Sequence, residues 1–338
     1  MFRLTVFIPD LLTEMLGQFN GVVDGQRWPL CNLILSRARE YPLECGTIER
    51  NLCTLFGPES SSGIPLSVSD LTASIDSPDN RCAGIMRADP VHLRADPNQI
   101  LLFNDPSIMP SAVEADALIK ILNSGLPQLG LCRGRHPARW YFCPDEGCDA
   151  ITVSPSRVNG RSITNFLPSN PGADAFVKMM HEAQILLHEA PLNAERVARG
   201  LPTINSIWIW GDELPSNALG TTPRFVIGDD VLTAALARRF KLDWSIDRAP
   251  TELLSQITRG DGDGLLVLGA PTGPIKCGGR ISGIEAFERR WSQPILNSLR
   301  WFRLAELRVV TDRETFSLTP WRLTKFWRTQ YTPPKEKF

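Results

Sequence analysis

Short apolar runs that read as strands alternate with amphipathic stretches along almost the whole chain. That alternation limits the possible fold more than any other feature. Strand candidates are LTVFIP (4–9), CAGIMRADPVHL (82–93), QILLFND (99–105), RWYFCP (139–144), SIWIW (206–210), RFVIG (224–228), GLLVLG (264–269), ELRVVT (306–311) and TFSLT (315–319). Helix patterns lie at 32–40, 48–57, 110–126, 174–190, 231–240, 251–260, 286–304 and 321–330. Strands interleaved with helices imply a layered α/β protein, a mixed sheet with helices on both faces. Some local signals are sharp. Ser111 stands three residues before Glu114, the spacing of a capping box, and Ala115, Leu118, Ile119 and Leu122 continue as an apolar stripe. Asp96-Pro97-Asn98 between two strand candidates predicts a hairpin. Pro294 predicts a kink in the helical stretch that contains it. Residues 58–80 are rich in serine, proline and aspartate and read as a loop or linker, with one short element near IPLSVSDL.

A chain of 338 residues exceeds the usual single domain, so two domains, or one with a large insertion, are expected. The formal net charge of -1 provides no global field for nucleic acid or a membrane. The opening MFRLTVFIPDLLTEMLG is broken by Asp10 and lacks the parts of a signal peptide. No stretch approaches the roughly 18 to 20 apolar residues of a membrane span. The eight cysteines are scattered through the chain and read as reduced thiols of a cytoplasmic protein.

Several suggestive motifs fall short. Cys143 and Cys148 are close in sequence, but no second pair completes a structural zinc site. Gly260-Asp261-Gly262-Asp263-Gly264 lacks the remaining acidic ligands of a calcium loop. The glycine-rich segment 269–279 lacks the Gly-Lys-Ser/Thr ending of a phosphate-binding loop, and there is no G-x-S-x-G nucleophile turn. His181 and His188 read as a solvated or packed helix face. From Arg280 to Gln330 ten basic residues outnumber five acidic ones, with Trp291, Trp301, Trp321 and Trp327 interspersed. Such interleaving can bind single-stranded nucleic acid. With no recognised nucleic-acid motif, the expectation is an amphipathic element whose tryptophans pack inward while its arginines face water.

The segment APLNAERVARGLPTINSIWIWG (190–211) crowds Asn193, Arg196, Arg199 and Asn205 around a break at Gly200-Leu201-Pro202. Together with RADPVHLRADPNQILLFND and its following helix, it resembles the RpfE-type regulatory proteins of bacteria. Those are similar in turn to the archaeal-type, cofactor-independent phosphoglycerate mutases of the alkaline phosphatase superfamily. The resemblance to the regulatory proteins covers most of the chain, including TFSLTPWRLTKFW. The resemblance to the mutases is confined to about residues 81–211, where Asn193, Arg196, Gly200, Pro202, Asn205 and Gly211 carry it.

The resemblance implies a degenerate alkaline-phosphatase-like core in two parts, 1–80 and 216–338, with an inserted α/β lobe at 81–215 resembling the mutases' substrate lobe. Arg87, His92, Asn193, Arg196, Arg199 and Asn205 are then candidates to hold a phosphorylated small molecule, since guanidinium forks suit carboxylate and phosphate. The alternative is that Asn193 and Asn205 cap or satisfy local backbone and Arg196 pairs with Glu189 or another nearby acid. The mutases need a serine nucleophile and two divalent metals held by Asp and His. Here Asp10 is not followed by glycine, no Asp-His-Gly segment exists, and all four histidines lie within 81–211. Asp10, Asp229 and Asp230 are the only acidic candidates for a metal, and no catalytic residue or cofactor is assigned. The expectation is a cytoplasmic, catalytically degenerate binding or regulatory protein with an unknown protein partner, no membrane and no nucleic acid. An active metal-dependent mutase or phosphatase with atypical ligands is the alternative, and a nucleic-acid-binding regulator the third reading.

Overall fold

In a computed structural model the described residues are 2–9, 11, 29–43, 46–56, 66–76, 82, 84–144, 152–168, 173–211, 213–214, 222–250, 262–269, 284–325 and 327. The chain forms two compact units, Met1–Ser62 with Asn217–Pro274 and Gly278–Phe338, and Gly63–Ser216 with Ile275–Cys277.

The first unit is built on a seven-stranded mixed sheet. Its strands are β1 (Arg3–Phe7), β2 (Arg39–Pro42), β10 (Phe225–Ile227), β11 (Asp243–Ser245), β12 (Asp263–Val267), β13 (Glu306–Val310) and β14 (Glu314–Leu318). The order is β11-β10-β12-β1-β13-β14-β2. The five strands from β11 to β13 are parallel, and β14 pairs antiparallel with both β13 and β2. Leu4, Val6 and Ile8 alternate along β1 onto one face, where helices α1 (Pro29–Arg37) and α9 (Ile284–Arg300) bring Leu30, Ile34, Phe287, Trp291 and Ile295. Helices α2 (Ile48–Thr54) and α8 (Val231–Arg239) complete the larger elements, and the short α10 (Pro320–Leu323) follows β14. The helix expected over 32–40 ends at Arg37, because Arg39 to Pro42 pair with β14 as the edge strand. Helix α9 continues through Pro294 as one element. The helix expected over 251–260 lies outside the described residues.

The second unit centres on β4 (Met86–Asp96), an eleven-residue strand. It pairs antiparallel with β5 (Gln99–Phe103), β7 (Trp140–Phe142) and β8 (Ser206–Trp210), and β6 (Cys132–Arg133) pairs with β7. The hairpin at Asp96-Pro97-Asn98 joins β4 to β5. A two-residue ladder joins β3 (Leu66–Ser67) to β9 (Glu213–Leu214). Helices α3 (Val68–Asp76), α4 (Ala112–Gly125), the short α5 (Pro155–Val158), α6 (Asp174–His188) and α7 (Pro191–Ala198) complete this unit. The capping box of α4 is present, with Ser111 and Glu114 bonding each other's backbone.

The cysteine expectation needs a correction. Cys82 and Cys143 form a disulfide with Cα atoms 6.1 Å apart, packed with Ala73, Ile85 and Tyr141. Scattered spacing concealed the pair, because it is the β4–β7 pairing that brings two positions 61 residues apart together. Cys31 and Cys53 are buried free thiols, while Cys148 lies outside the described residues.

Candidate functional site

Two groups of polar side chains in the second unit contain all six sequence-derived ligand candidates. The first is the bend between α7 and β8. Helix α6 stops at His188 and α7 starts on Pro191, where a missing N–H costs nothing. Gly200 closes α7 at φ 72°, its N–H bonding Val197 O while the Leu201 N–H bonds Arg196 O, a left-handed cap that glycine enters without strain.

Asn193 is buried within this bend. Its Nδ2 donates to Leu187 O at 2.7 Å and to Ile204 O at 2.9 Å, while its Oδ1 accepts the Ile204 N–H at 2.8 Å. Arg196 is fully buried. Its Nε donates to Pro202 O (2.8 Å), Nη1 to Glu114 Oε1 (3.2 Å), and Nη2 to Ser107 O (3.3 Å) and Ile108 O (3.2 Å). Asn205 acts as an extra rung beside β4, accepting the Leu93 N–H at 2.7 Å and donating to Leu93 O at 2.8 Å. His92 Nδ1 lies 3.0 Å from Thr203 O and 3.1 Å from Thr203 Oγ1. Arg199 differs from the others. It reaches Glu114 Oε1 at 3.4 Å while its side chain stays 63% exposed.

Glu114 therefore serves the α4 cap and two arginines together. Burial pushes its carboxyl up, but hydrogen bonds from Ser111 and the charge of Arg196 outweigh that and hold it below the usual carboxylate range. Chemically, the bend offers Arg199 and half-buried His92 to an anion, standing on a frame made by Asn193, Arg196 and Asn205.

The second group surrounds Arg87. In the β4–β8 ladder Arg87 pairs with Trp210, whereas His92 lies five residues further along the strand, about 17 Å away at ~3.4 Å per residue. The structure thus separates Arg87 from the bend. Arg87 and Asp89 alternate onto one face of β4 and form a bidentate pair at 3.0 and 2.7 Å. The guanidinium lies 4.6 Å from the Trp210 ring centroid, and Trp210 Nε1 donates to Asp89 Oδ2 at 2.9 Å. A second bidentate pair joins Arg139 to Asp76 at 2.6 and 2.9 Å, and the Tyr141 hydroxyl donates to Asp76 Oδ2 at 2.8 Å.

All of these side chains are buried. Burial pushes the Asp76 carboxyl up, but Arg139, Tyr141 and Arg87 outweigh it and hold the group below its ordinary value. Nearby His136 is lowered to about 4, first by burial and then by the charge of Arg139, so at neutral pH its ring is uncharged. Sequence reasoning missed Asp76, Arg139, Tyr141 and His136. The Arg-Ala-Asp alternation at 87–89 was the local signal, but Asp76 and Arg139 are 63 residues apart.

In the first unit, Asp230 caps α8, accepting the Thr233 N–H at 3.0 Å and the Thr233 hydroxyl at 3.2 Å. Asp229 is buried beside it, and Asp10 lies outside the described residues. Burial, followed by the charges of Glu49 and Asp230, pushes the Cys53 thiol well up. Among the described residues no group of three or more His, Cys, Asp or Glu side chains could hold a metal ion. The donor set does not fit a pair of divalent cations held by Asp and His, since Asp230 is engaged by its helix and this unit has no histidine. No helix of the described residues is long and apolar enough to cross a membrane.

No family model matches the chain. It is 38% identical over 63 residues to a 2,3-bisphosphoglycerate-independent phosphoglycerate mutase of Methanothrix thermoacetophila, covering 19% of this chain and 16% of that protein. To the enzyme of that name from Methanosarcina barkeri it is 28% identical over 118 residues, 34% of this chain and 28% of the other. The solved cofactor-independent phosphoglycerate mutase of Thermoplasma acidophilum aligns over 98% of this chain and 93% of its own, at 12% identity and a TM-score of 0.40. The chain is a distant relation of these mutases, and its matched stretches span less than a third of their length.

Proposed function

We propose that the chain is a catalytically degenerate, phosphoglycerate-mutase-like protein with a binding or regulatory role, recognising a small phosphorylated carboxylate through its second unit. The single observation behind degeneracy is the donor set of the first unit, which has no histidine and commits Asp230 to a helix N-terminus. The ligand reading rests on Arg199, whose guanidinium reaches a buried carboxylate while staying largely in solvent, and on half-buried His92, which meets Thr203 in the same bend. Asn193, Arg196 and Asn205 support those two groups by fixing the bend. Arg87 supports the same unit from its own buried cluster. The core would be a degenerate alkaline-phosphatase-like one, in the manner of the RpfE-type proteins.

Isothermal titration with 3-phosphoglycerate, with and without manganese, tests both parts. Binding without metal that Arg199→Ala weakens about tenfold, the effect of losing one charge-assisted contact, supports the reading. Turnover to 2-phosphoglycerate with manganese overturns the degeneracy. Absence of heat in either condition overturns the ligand.

A further inference from the structure

The tryptophans of the C-terminal segment do not all pack inward. Trp291 is buried in the core, but Trp301, Trp321 and Trp327 are 75%, 73% and 66% exposed, and Phe302 is 51% exposed. Among the described residues, the exposed large apolar side chains divide by chemistry. Those of the second unit are all aliphatic (Ile100, Met109, Val113, Ile185 and Val197), while those of the first are all aromatic, adding Tyr41 to the four above. Exposure limited to π-faces points to a partner that stacks.

The backbone strengthens the case. Helix α9 ends in a paired cap, with the Phe302 N–H bonded to Leu299 O at 3.1 Å and the Arg303 N–H to Ser298 O at 2.9 Å. The left-handed position of that cap belongs by preference to glycine, and Gly200 fills it at the end of α7. Here Phe302 occupies it at φ 54°. A bulky residue in that conformation is strained, and half of its side chain faces water, so its burial does not account for the choice. Its ring meets Trp321 edge-on with centroids 5.5 Å apart, fixing the angle between the two rings. Arg322 and Arg37 lock α10 in place through reciprocal bonds, Arg322 Nη1 to Arg37 O and Arg37 Nη1 to Leu323 O.

The two stretches that carry these rings hold charge of one sign. Residues 297–305 and 319–325 include Arg300, Arg303, Arg322 and Lys325 and no acid. Among the described residues, Arg300, Arg303 and Lys325 make no ion pair. Rings with open faces beside unpaired cations match a polyanion with stackable bases. Duplex nucleic acid fits less well, since its base faces are already covered.

We infer that the surface formed by Trp301, Phe302 and Trp321, with Arg300, Arg303 and Lys325, binds single-stranded nucleic acid, bases stacking on the rings and phosphates meeting the cations. This inference is independent of the ligand proposed for the second unit. The test is fluorescence anisotropy of the full chain with a labelled oligothymidylate, its duplex counterpart, and vesicles of phosphatidylglycerol. Binding should prefer the single strand and weaken with salt at a log–log slope of about −2, the ~0.7 per phosphate expected for three cations. Trp301→Ala and Trp321→Ala should each weaken it about tenfold. Phe302→Gly relieves the backbone and serves as the variant that stays folded, unfolding within a few degrees of the parent while binding more weakly. Equal affinity for duplex, indifference to the tryptophan substitutions, or binding to vesicles and not to the oligonucleotide would each overturn the assignment.

Discussion

Arg139→Met is the sharpest probe of the buried charge cluster. The substitution keeps the length and apolar volume of the side chain but removes both donors that hold Asp76, at 2.6 and 2.9 Å. Asp76 is 7% exposed, so water cannot replace them, and only the Tyr141 hydroxyl remains among its two close partners. Breaking a buried pair by removing one member costs about 3–5 kcal/mol, most of it from the stranded charge. That penalty depends on pH with a definite sign. In the parent, the folded Asp76 pKa is below its ordinary value, so the stability it contributes is complete above that value and is lost as pH falls through the folded pKa. In the variant, burial acts unopposed by Arg139 and raises the folded pKa above the unfolded one. The variant should therefore bind a proton on folding, and its deficit should shrink as pH falls from 7 toward about 4. Urea unfolding followed by circular dichroism at several pH values measures both effects. Asp76→Asn in the same background removes the charge, keeps an acceptor for Tyr141, and should recover more than about 1 kcal/mol. A deficit below about 1 kcal/mol, or one indifferent to pH and to Asp76→Asn, would refute the view that this pair matters through its charge.

Three further outcomes follow from the same unit. A Cβ at Gly134 would lie 2.7 Å from Asp76 Oδ2 and 3.0 Å from the Tyr141 ring, so Gly134→Ala should destabilise by about 1–3 kcal/mol in urea unfolding. Reducing Cys82–Cys143, or replacing both by alanine, should lower stability by at most about 4 kcal/mol, the chain-entropy value for a separation of 61 residues. His136 should titrate near pH 4 by NMR. Because its folded pKa is lowered, the unfolded chain takes up the proton first, and this residue's contribution to stability declines as pH falls below about 6.5. A His136 midpoint near 6.5 would show that the ring is solvated.

What could be read from the sequence was what depends on neighbours in the chain. The capping box of α4 needs only Ser111 and Glu114, the β4–β5 hairpin needs only the turn at residues 96–98, and the break after α7 is marked by Gly200 and Pro202. Each is a contact across a few residues, decided by local hydrogen bonding. The features that escaped detection were decided by tertiary neighbours. Residues 39–42 follow a helical pattern but become a strand because β14 offers an edge. Arg196 finds Glu114, 82 residues earlier, and Cys82 finds Cys143 only after β4 and β7 pair. Helical spacing of apolar residues placed Trp291 inward, yet Trp301 follows the last residue of α9, beyond the stripe that faces the core.

Basic residues are mostly arginine, 29 against seven lysines, and the structure shows one use for that fork-shaped cation. Arg87, Arg139 and Arg196 are buried, each spreading several directed donors over carboxylates or backbone carbonyls that a single ammonium could not span. Replacing Arg196 by lysine, which has three donors for Glu114 and three carbonyls, would leave at least one of Pro202 O, Ser107 O or Ile108 O without a donor in a site closed to water. The residues through which the chain resembles the mutases, Asn193, Arg196, Gly200, Pro202 and Asn205, are thus the ones that build the bend after α7. Under the proposed loss of catalysis, such a motif is kept for its geometry and not for chemistry. It follows that Arg196→Ala is a poor test of ligand binding, because it would unfold the bend whether or not a ligand exists. Arg199 and His92, which the bend displays but does not depend on to the same degree, are the side chains whose loss can separate recognition from folding.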